Sequence, residues 1–238
     1  MVETPTTYSW ALFDADGTLF DYEAAERQAL SATLGQFGLP FGPEVLATYQ
    51  EVNGQLWRAF ELGQTTPERI KTERFALLFE AIGRSGSFPD PALFGDAYLT
   101  TLGTCVDLLP DAMTVLDALT GKVRLALITN GLTKVQHARL AASGLDGTFE
   151  VVVISEEEGV AKPDPAIFDV AFERMGGPVR REVLMVGDSL TSDIRGANAY
   201  GIDACWYNPA GLPRDAEVQV RYEIRRLTAL LPILGIHL

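Results

Sequence analysis

Four short apolar runs constrain this chain more than any other feature of it: residues 9–13, 124–128, 150–154 and 183–186. Each has the length of a strand and is rich in aliphatic or β-branched residues. None shows the apolar–polar alternation of a half-exposed strand, so each reads as a strand buried on both faces. A fifth run, 203–207, is weaker. Helical patterns lie between the last four runs: 133–143 with Val135 and Leu140 ahead of Gly144, 165–175 with Ile167, Val170 and Ala171 behind Pro165, and 192–200 ahead of Gly201. Buried strands that alternate with helices specify an α/β protein, a Rossmann-like doubly wound parallel sheet.

The segment 21–103 breaks that rhythm. It carries only helical spacing: Leu30, Leu34 and Phe37; then Leu46, Tyr49, Leu56, Trp57 and Phe60; then Phe75, Leu78, Phe79 and Ile82. Turn clusters at 38–43, 63–67 and 83–91 divide it. We therefore expect an all-helical cap at 21–103, inserted after the first strand, with 1–20 and 104–238 forming the sheet-based core. Placed there, the insert would hang over the C-terminal ends of the strands, where open α/β sheets bind ligands.

A net charge of −13 repels polyanions, which argues against nucleic-acid polymers and anionic membranes as partners. No apolar run approaches the roughly 20 residues that span a bilayer. The first residues lack the basic-then-apolar build of a signal peptide. The C-terminal run 227–234, broken by Pro232, reads as a terminal core helix. Two distant cysteines, Cys105 and Cys205, with no CxxC pair, supply neither a disulfide framework nor a metal site, and suit a reducing cytoplasm.

Polar chemistry follows each strand-like run. After 9–13 comes Asp14-Ala15-Asp16-Gly17-Thr18, with two carboxylates two residues apart that can face the same way on an extended chain. Acids at the end of a buried strand face desolvation and need a metal or a proton-transfer task to hold them there. Gly17 permits a sharp turn and a close approach. After 124–128 come Thr129-Asn130-Gly131, which fit either a phosphate cradle of hydroxyl and backbone N–H groups or an ST-turn capping the next helix. Lys162, framed by Pro163 and Pro165, is either a point charge for phosphate or a solvated lysine. After 183–186 come Gly187-Asp188-Ser189 and Asp193, the last of which also suits a helix cap. Three strand-end acids would repel one another without a hard cation between them, and an all-oxygen set suits Mg²⁺. Neither histidine has ligand spacing: His137 falls in a helical pattern and His237 beside the chain end, both reading as surface residues.

In this order the four motifs resemble the haloacid dehalogenase superfamily of phosphatases: Asp14-Ala15-Asp16-Gly17-Thr18 its first, Thr129-Asn130-Gly131 its second, Lys162-Pro163 its third, and Gly187-Asp188-Ser189 with Asp193 its fourth. The helical insert resembles that family's C1 cap. The resemblance implies that Asp14 is the nucleophile, forming an aspartyl-phosphate, and that Asp16 is the general acid and base. It implies Mg²⁺ on Asp14, on the backbone carbonyl of Asp16 and on Asp188, supported by Asp193. Thr129, Lys162 and the backbone N–H groups near Asn130 and Gly131 would hold the phosphoryl oxygens. The acid at Asp16 argues for a phosphatase over the family's dehalogenases.

A narrower likeness is to bacterial pyrimidine 5′-nucleotidases, carried by Tyr49-Gln50-Glu51-Val52-Asn53-Gly54-Gln55-Leu56-Trp57, by 153–163, by 184–189 and by Cys205-Trp206-Tyr207-Asn208. It implies a small phosphate ester as substrate, a nucleoside monophosphate such as UMP, dUMP or dTMP, with the enzyme a monomer or homodimer. Asn53 and Trp57, four apart on one helix face, are candidates for the nucleoside half, or else parts of the cap's own packing. The rivals are a phosphatase for N-acylneuraminate 9-phosphate or phosphoglycolate, a phosphomutase using cap cations (Arg27, Arg58, Arg69, Lys71, Arg74, Arg84), and a non-catalytic ligand-binding module.

Overall fold

The computed structural model describes residues 8–83, 88–214 and 217–236, so His237 and Arg84 lie outside the described residues. The strands are β1 (Trp10–Phe13), β2 (Arg124–Thr129), β3 (Val151–Ile154), β4 (Val183–Gly187), β5 (Asp203–Tyr207) and β6 (Tyr222–Ile224). They form one sheet in the order β3-β2-β1-β4-β5-β6, with every neighbouring pair parallel. The first strand in sequence sits mid-sheet, so its C-terminal end is flanked by those of β2 and β4. The sequence pattern does not reveal β6, which spans three residues with Glu223 exposed at its centre.

The helices are α1 (Tyr22–Gln36), α2 (Pro43–Glu61), α3 (Pro67–Ala81), α4 (Pro91–Leu102), α5 (Ala112–Leu119), α6 (Thr133–Ala142), α7 (Ser155–Glu158), α8 (Pro165–Arg174), α9 (Arg195–Tyr200) and α10 (Leu230–Ile233). One local signal starts three of them: a capping side chain followed by proline at the first helical position, where the missing N–H costs nothing. Thr66 caps α3, Asp90 caps α4 with Oδ1 2.8 Å from the Ala92 N–H, and Asp164 caps α8 with Oδ1 2.9 Å from the Ala166 N–H. The segment 192–200, expected as one helix, is split into a π-helical turn over Leu190–Ile194 and α9. The expected C-terminal helix is a 3₁₀ turn leading into the four-residue α10.

The chain divides into two compact units. One comprises the chain up to Asp21, Asp107–Gly131 and Ser143 onward; the other comprises Tyr22–Val106 and Leu132–Ala142. In the first unit, one face of the sheet is closed by a core of Trp10, Leu12, Ala126, Ile128, Val183 and Met185 packed with Phe168 and Phe172 of α8 and Ala197 and Tyr200 of α9. In the second, Tyr49, Phe75, Phe94 and Tyr98 lie in a continuous aromatic cluster, the Phe75 and Phe94 ring centroids being 4.9 Å apart. Such pairs contribute about 0.5–1.5 kcal/mol each beyond their buried area.

The helical unit includes α6, which the strand–helix rhythm assigns to the sheet. Leu132 and Val135 pack in the aromatic cluster with Tyr98 and Leu102, and the buried Arg139 donates from Nε to the Cys105 carbonyl at 3.1 Å. Alternation along the chain fixes helix type; the apolar residues on α6 decide which core it joins. His137 lies exposed on this helix.

Candidate active site

Asp14 is the first residue after β1. Its N–H donates to the Val186 carbonyl at 2.9 Å, extending the ladder to β4 by one residue and carrying the acid, only 6% exposed, to the C-terminal edge of the sheet. The chain then turns tightly: the N–H groups of Leu19 and Phe20 both donate to the Ala15 carbonyl at 2.9 Å. Gly17 sits in the left-handed region at φ 84°, and a Cβ there would collide with the Asp188 carboxylate. Gly187, closing β4, is needed for the same reason, since its Cβ would overlap the Asp193 carboxylate. Both glycines are positions where a carboxylate takes the space of a side chain.

Asp14, Asp188 and Asp193 each offer a carboxylate oxygen within 4.8 Å of the others. The Asp16 side chain is half-buried and stands outside this trio. Its part in the implied metal set is through its backbone carbonyl. Thr18, fully buried, donates to Asp188 Oδ1 at 3.3 Å. The Trp206 indole N–H donates to the Asp188 carbonyl at 2.8 Å, and the Ser189 N–H donates to Asp193 Oδ2 at 3.0 Å.

The cation in this cluster is Lys162, 1% exposed. Its ammonium donates to Asp14 Oδ1 at 2.6 Å, to Asp193 Oδ1 at 2.7 Å and to the Ile128 carbonyl at 2.8 Å. The two readings that the sequence leaves open for this lysine, solvated or placed in the site, are thereby separated: it is inside. Burial opposes the ammonium, and the charges of Asp14 and Asp193 outweigh it, so the Lys162 pKa lies above the ordinary lysine value. Burial raises Asp14 well above the usual carboxylate range; the neighbouring Asp193 and Asp188 push the same way, and Lys162 opposes them. Asp188 is raised to about 7, first by burial and then by the charge of Asp193. Three hard oxygen donors, two of which, Asp14 and Asp188, have their ionisation resisted by burial and by neighbouring carboxylates, fit a divalent cation such as Mg²⁺, which would favour the charged forms of those two.

Thr129 ends β2, buried, paired in register with Ile154. Gly131 is buried just beyond it. Asn130, grouped from sequence with the phosphate-binding residues, directs its side chain elsewhere: Nδ2 donates to the Lys162 carbonyl and Oδ1 accepts from the Lys162 N–H, both at 2.8 Å. The contributions of Asn130, Ile128 and Trp206 to the site link residues far apart in the chain and leave no trace in spacing.

In the helical unit, Asn53 is 3% exposed and its amide is committed to its own neighbours. It donates to Glu26 Oε1 at 3.0 Å and to the Tyr22 hydroxyl at 3.2 Å, and it accepts from Arg74 Nη1 at 3.4 Å. Trp57 is half-buried, packed on the aromatic cluster and edge-on to Phe60 at 5.6 Å between centroids. Of the two readings open for this pair, the geometry of Asn53 corresponds to internal organisation of the unit. Both cysteines are buried and outside any disulfide, and among the described residues no helix is long and apolar enough to cross a membrane.

The family model for haloacid dehalogenase-like hydrolases matches residues 8–201. The HAD-hydrolase YfnB of Bacillus subtilis is 36% identical over 229 residues, covering 96% of each chain. A crystal structure of YfnB bound to magnesium superposes with a TM-score of 0.90 over 97% of this chain and 100% of that one. Pyrimidine 5′-nucleotidase YjjG of Escherichia coli is 34% identical, covering 92% of this chain and 97% of its own, and pyrimidine 5′-nucleotidase PynA of Streptococcus pneumoniae is 35% identical, covering 95% of each. With its strand-end carboxylates gathered around one buried lysine, this chain belongs to the haloacid dehalogenase-like hydrolase family.

Proposed function

We propose that this hydrolase is a Mg²⁺-dependent phosphomonoesterase acting on pyrimidine nucleoside 5′-monophosphates through an aspartyl-phosphate. The observation that carries the reading is the desolvated Asp14 carboxylate held 2.6 Å from the Lys162 ammonium and beside Asp188 and Asp193. The substrate class rests on the likeness to YjjG and PynA. A reducing cytoplasm suits its two cysteines, neither of which is in a disulfide.

Asp14 Oδ attacks phosphorus as the ester oxygen departs on the opposite side, and Asp16 supplies the proton that the leaving alcohol needs. Asp16, now ionised, takes a proton from the water that cleaves the acyl phosphate, which restores both acids. Lys162 favours the ionised form of Asp14 against its burial and orients it, while Thr129 and the N–H groups of Asn130 and Gly131 face the phosphoryl oxygens. Asp14 and Asp188, with the Asp16 carbonyl, would hold the cation, which supplies positive charge against the phosphoryl oxygens. Asp193, both of whose oxygens are engaged by Lys162 and Ser189, keeps Lys162 and the fourth motif in place.

The test is hydrolysis of a panel of UMP, dUMP, dTMP, purine monophosphates, phosphoglycolate and sugar phosphates, with Mg²⁺ and with a chelator. We expect release of inorganic phosphate only with the metal, and kcat/KM at least ~10-fold higher for the pyrimidine nucleotides, the discrimination that about 1.4 kcal/mol of differential binding provides. Equal rates on sugar phosphates and nucleotides would favour the small-metabolite alternative. Turnover of no ester would favour a ligand-binding module.

A further inference from the structure

We propose that the side chain of Asn130 is a positioning residue for Lys162, and that β2 holds this lysine at both ends. The inference rests on the phosphomonoesterase reading of the same site. The head of Lys162 donates to the carbonyl of Ile128, inside β2, at 2.8 Å. Its root is gripped by Asn130, one residue past the end of that strand, through two bonds of 2.8 Å to the backbone N–H and carbonyl of Lys162. Two β2-proximal residues two positions apart thus fix the two termini of one side chain 32 and 34 residues further on.

The grip matters because Lys162 has no regular structure of its own. Residues 159–164 form turns between α7 and α8, and the local backbone bond there, the Asp164 N–H to the Ala161 carbonyl at 2.9 Å, bypasses Lys162. A lysine rooted in such a loop carries about 2 kcal/mol of rotamer freedom plus whatever the loop itself allows. The sheet, in contrast, is a continuous hydrogen-bonded frame: β2 is bonded on both sides, to β1 and β3. Asn130 joins the loop to that frame.

The chemistry of the clamp selects asparagine. Lys162 presents one donor and one acceptor on its main chain, and an amide of this length answers both at once. Aspartate would set a carboxylate against the Lys162 carbonyl, and glutamine is one methylene longer. The ammonium at the far end must sit between two carboxylates at 2.6 and 2.7 Å, and misplacement of a catalytic group by about 1 Å can cost on the order of 10²-fold in rate. The consequence of losing Asn130 is therefore expected in kcat, with ground-state binding little affected.

The experiment uses the full chain with Mg²⁺ and p-nitrophenyl phosphate. Asn130→Ala should lower kcat by roughly 10- to 100-fold, with KM within about 3-fold of wild type. Lys162→Ala should cost more, and adding Asn130→Ala to it should change kcat by less than about 2-fold, because a residue that acts only through Lys162 has nothing left to position. Hydrogen exchange supplies a readout independent of turnover. The Lys162 amide should exchange at least about 10-fold faster in Asn130→Ala, while the amides of β1 and β4 stay protected. If Asn130→Ala does not fold, Asn130→Ser, with one hydroxyl in place of a two-ended amide, is measured in the same way. Wild-type kcat in the alanine variant, an undiminished effect in the Lys162→Ala background, or unchanged exchange at Lys162 would each overturn the proposal. A wild-type protein that hydrolyses no phosphate ester would overturn the functional reading instead, and the exchange comparison would still decide the clamp.

Discussion

Lys162 in the sheet-based unit and Arg74 in the helical unit are both 1% exposed, yet their surroundings differ in kind. Lys162 meets two carboxylates head-on, at 2.6 and 2.7 Å, with a carbonyl taking the third ammonium hydrogen. Arg74 lies with its guanidinium carbon 5.1 Å from the Phe75 ring centroid and 5.0 Å from that of Tyr98. Its Nη1 reaches Asn53 at 3.4 Å, and its Nε and Nη2 find no hydrogen bond of ordinary length and angle. The buried acid that answers its charge is Glu26, reached through Asn53. One unit concentrates opposite charges in a small space at the strand ends. The other spreads a single charge over ring faces and an amide relay, an arrangement that serves packing. Burial of a charge is thus no mark of chemistry; convergence of several charges is.

The comparison breaks most directly at Asp14. Asp14→Asn should lower turnover of any phosphate ester by at least ~10⁴-fold, as expected for a missing nucleophile. The melting temperature should fall by no more than a few degrees, because the change also removes one of three crowded carboxylates. Retained turnover, followed as phosphate release, would detach the cluster from catalysis.

Arg74→Met probes the other side. Removing the cation takes away a charge that acts on Glu26 through Asn53 without direct contact, and about 1–3 kcal/mol of stability at pH 8 should be lost, while kcat of the folded enzyme stays within about 3-fold. Burial already raises the Glu26 pKa, and Arg74 opposes that rise. In the variant the acid binds its proton still more tightly when folded, so the stability deficit should shrink as the pH is lowered to 5. Chemical denaturation at the two pH values measures both effects.

Mg²⁺ should sharpen the contrast further. In metal-free protein Asp188 holds its proton up to about 7, against an ordinary 3.8. Between those values the folded state binds more protons than the unfolded one, so stability declines as pH rises across the window. A cation bound among the carboxylates favours their charged forms. Its stabilisation, up to about 2.7 kcal/mol at a hundredfold excess over Kd, should therefore be larger at pH 8 than at pH 6. Thermal melts with and without Mg²⁺ at each pH test this, and an equal shift at both would place the ion elsewhere.

The smallest effect concerns a residue of the sheet-based unit that lies outside the carboxylate cluster. Asp111 precedes α5 with φ 70°, and its side chain makes no capping hydrogen bond. Asp111→Gly should relieve that backbone and stabilise the fold by up to about 1 kcal/mol, or some 2–4 °C. A lower melting temperature would mean that the carboxylate has a role the geometry does not reveal.

The parts of this molecule that are legible in its sequence are those that repeat a local rule. β1 to β5 are readable because a strand buried on both faces must be continuously apolar and must end where polar chemistry begins. Three helices of the insert, α1 to α3, are readable from their apolar spacing; α4, which begins at Asp90-Pro91, lies beyond those three patterns. β6 escapes, being three residues long with an exposed glutamate at its centre. So does the allegiance of α6, decided by which aromatic cluster Val135 meets. At the site, the acids are visible as strand-end motifs and the lysine by the prolines that frame it. The commitment of Asn130 to Lys162, of Trp206 to Asp188 and of Asn53 to Glu26 is not, because such bonds join distant segments and impose no period on either.

An ammonium group has three hydrogens, and Lys162 has given all of them to the protein. An oxyanion arriving beside it therefore cannot simply add a bond; it has to displace Asp14, Asp193 or the Ile128 carbonyl. Recognition at this nitrogen becomes an exchange of acceptors, in which a visitor is ranked against the incumbent it would dislodge. Chloride or a carboxylate visitor that competes poorly with two aspartates would leave the trio intact.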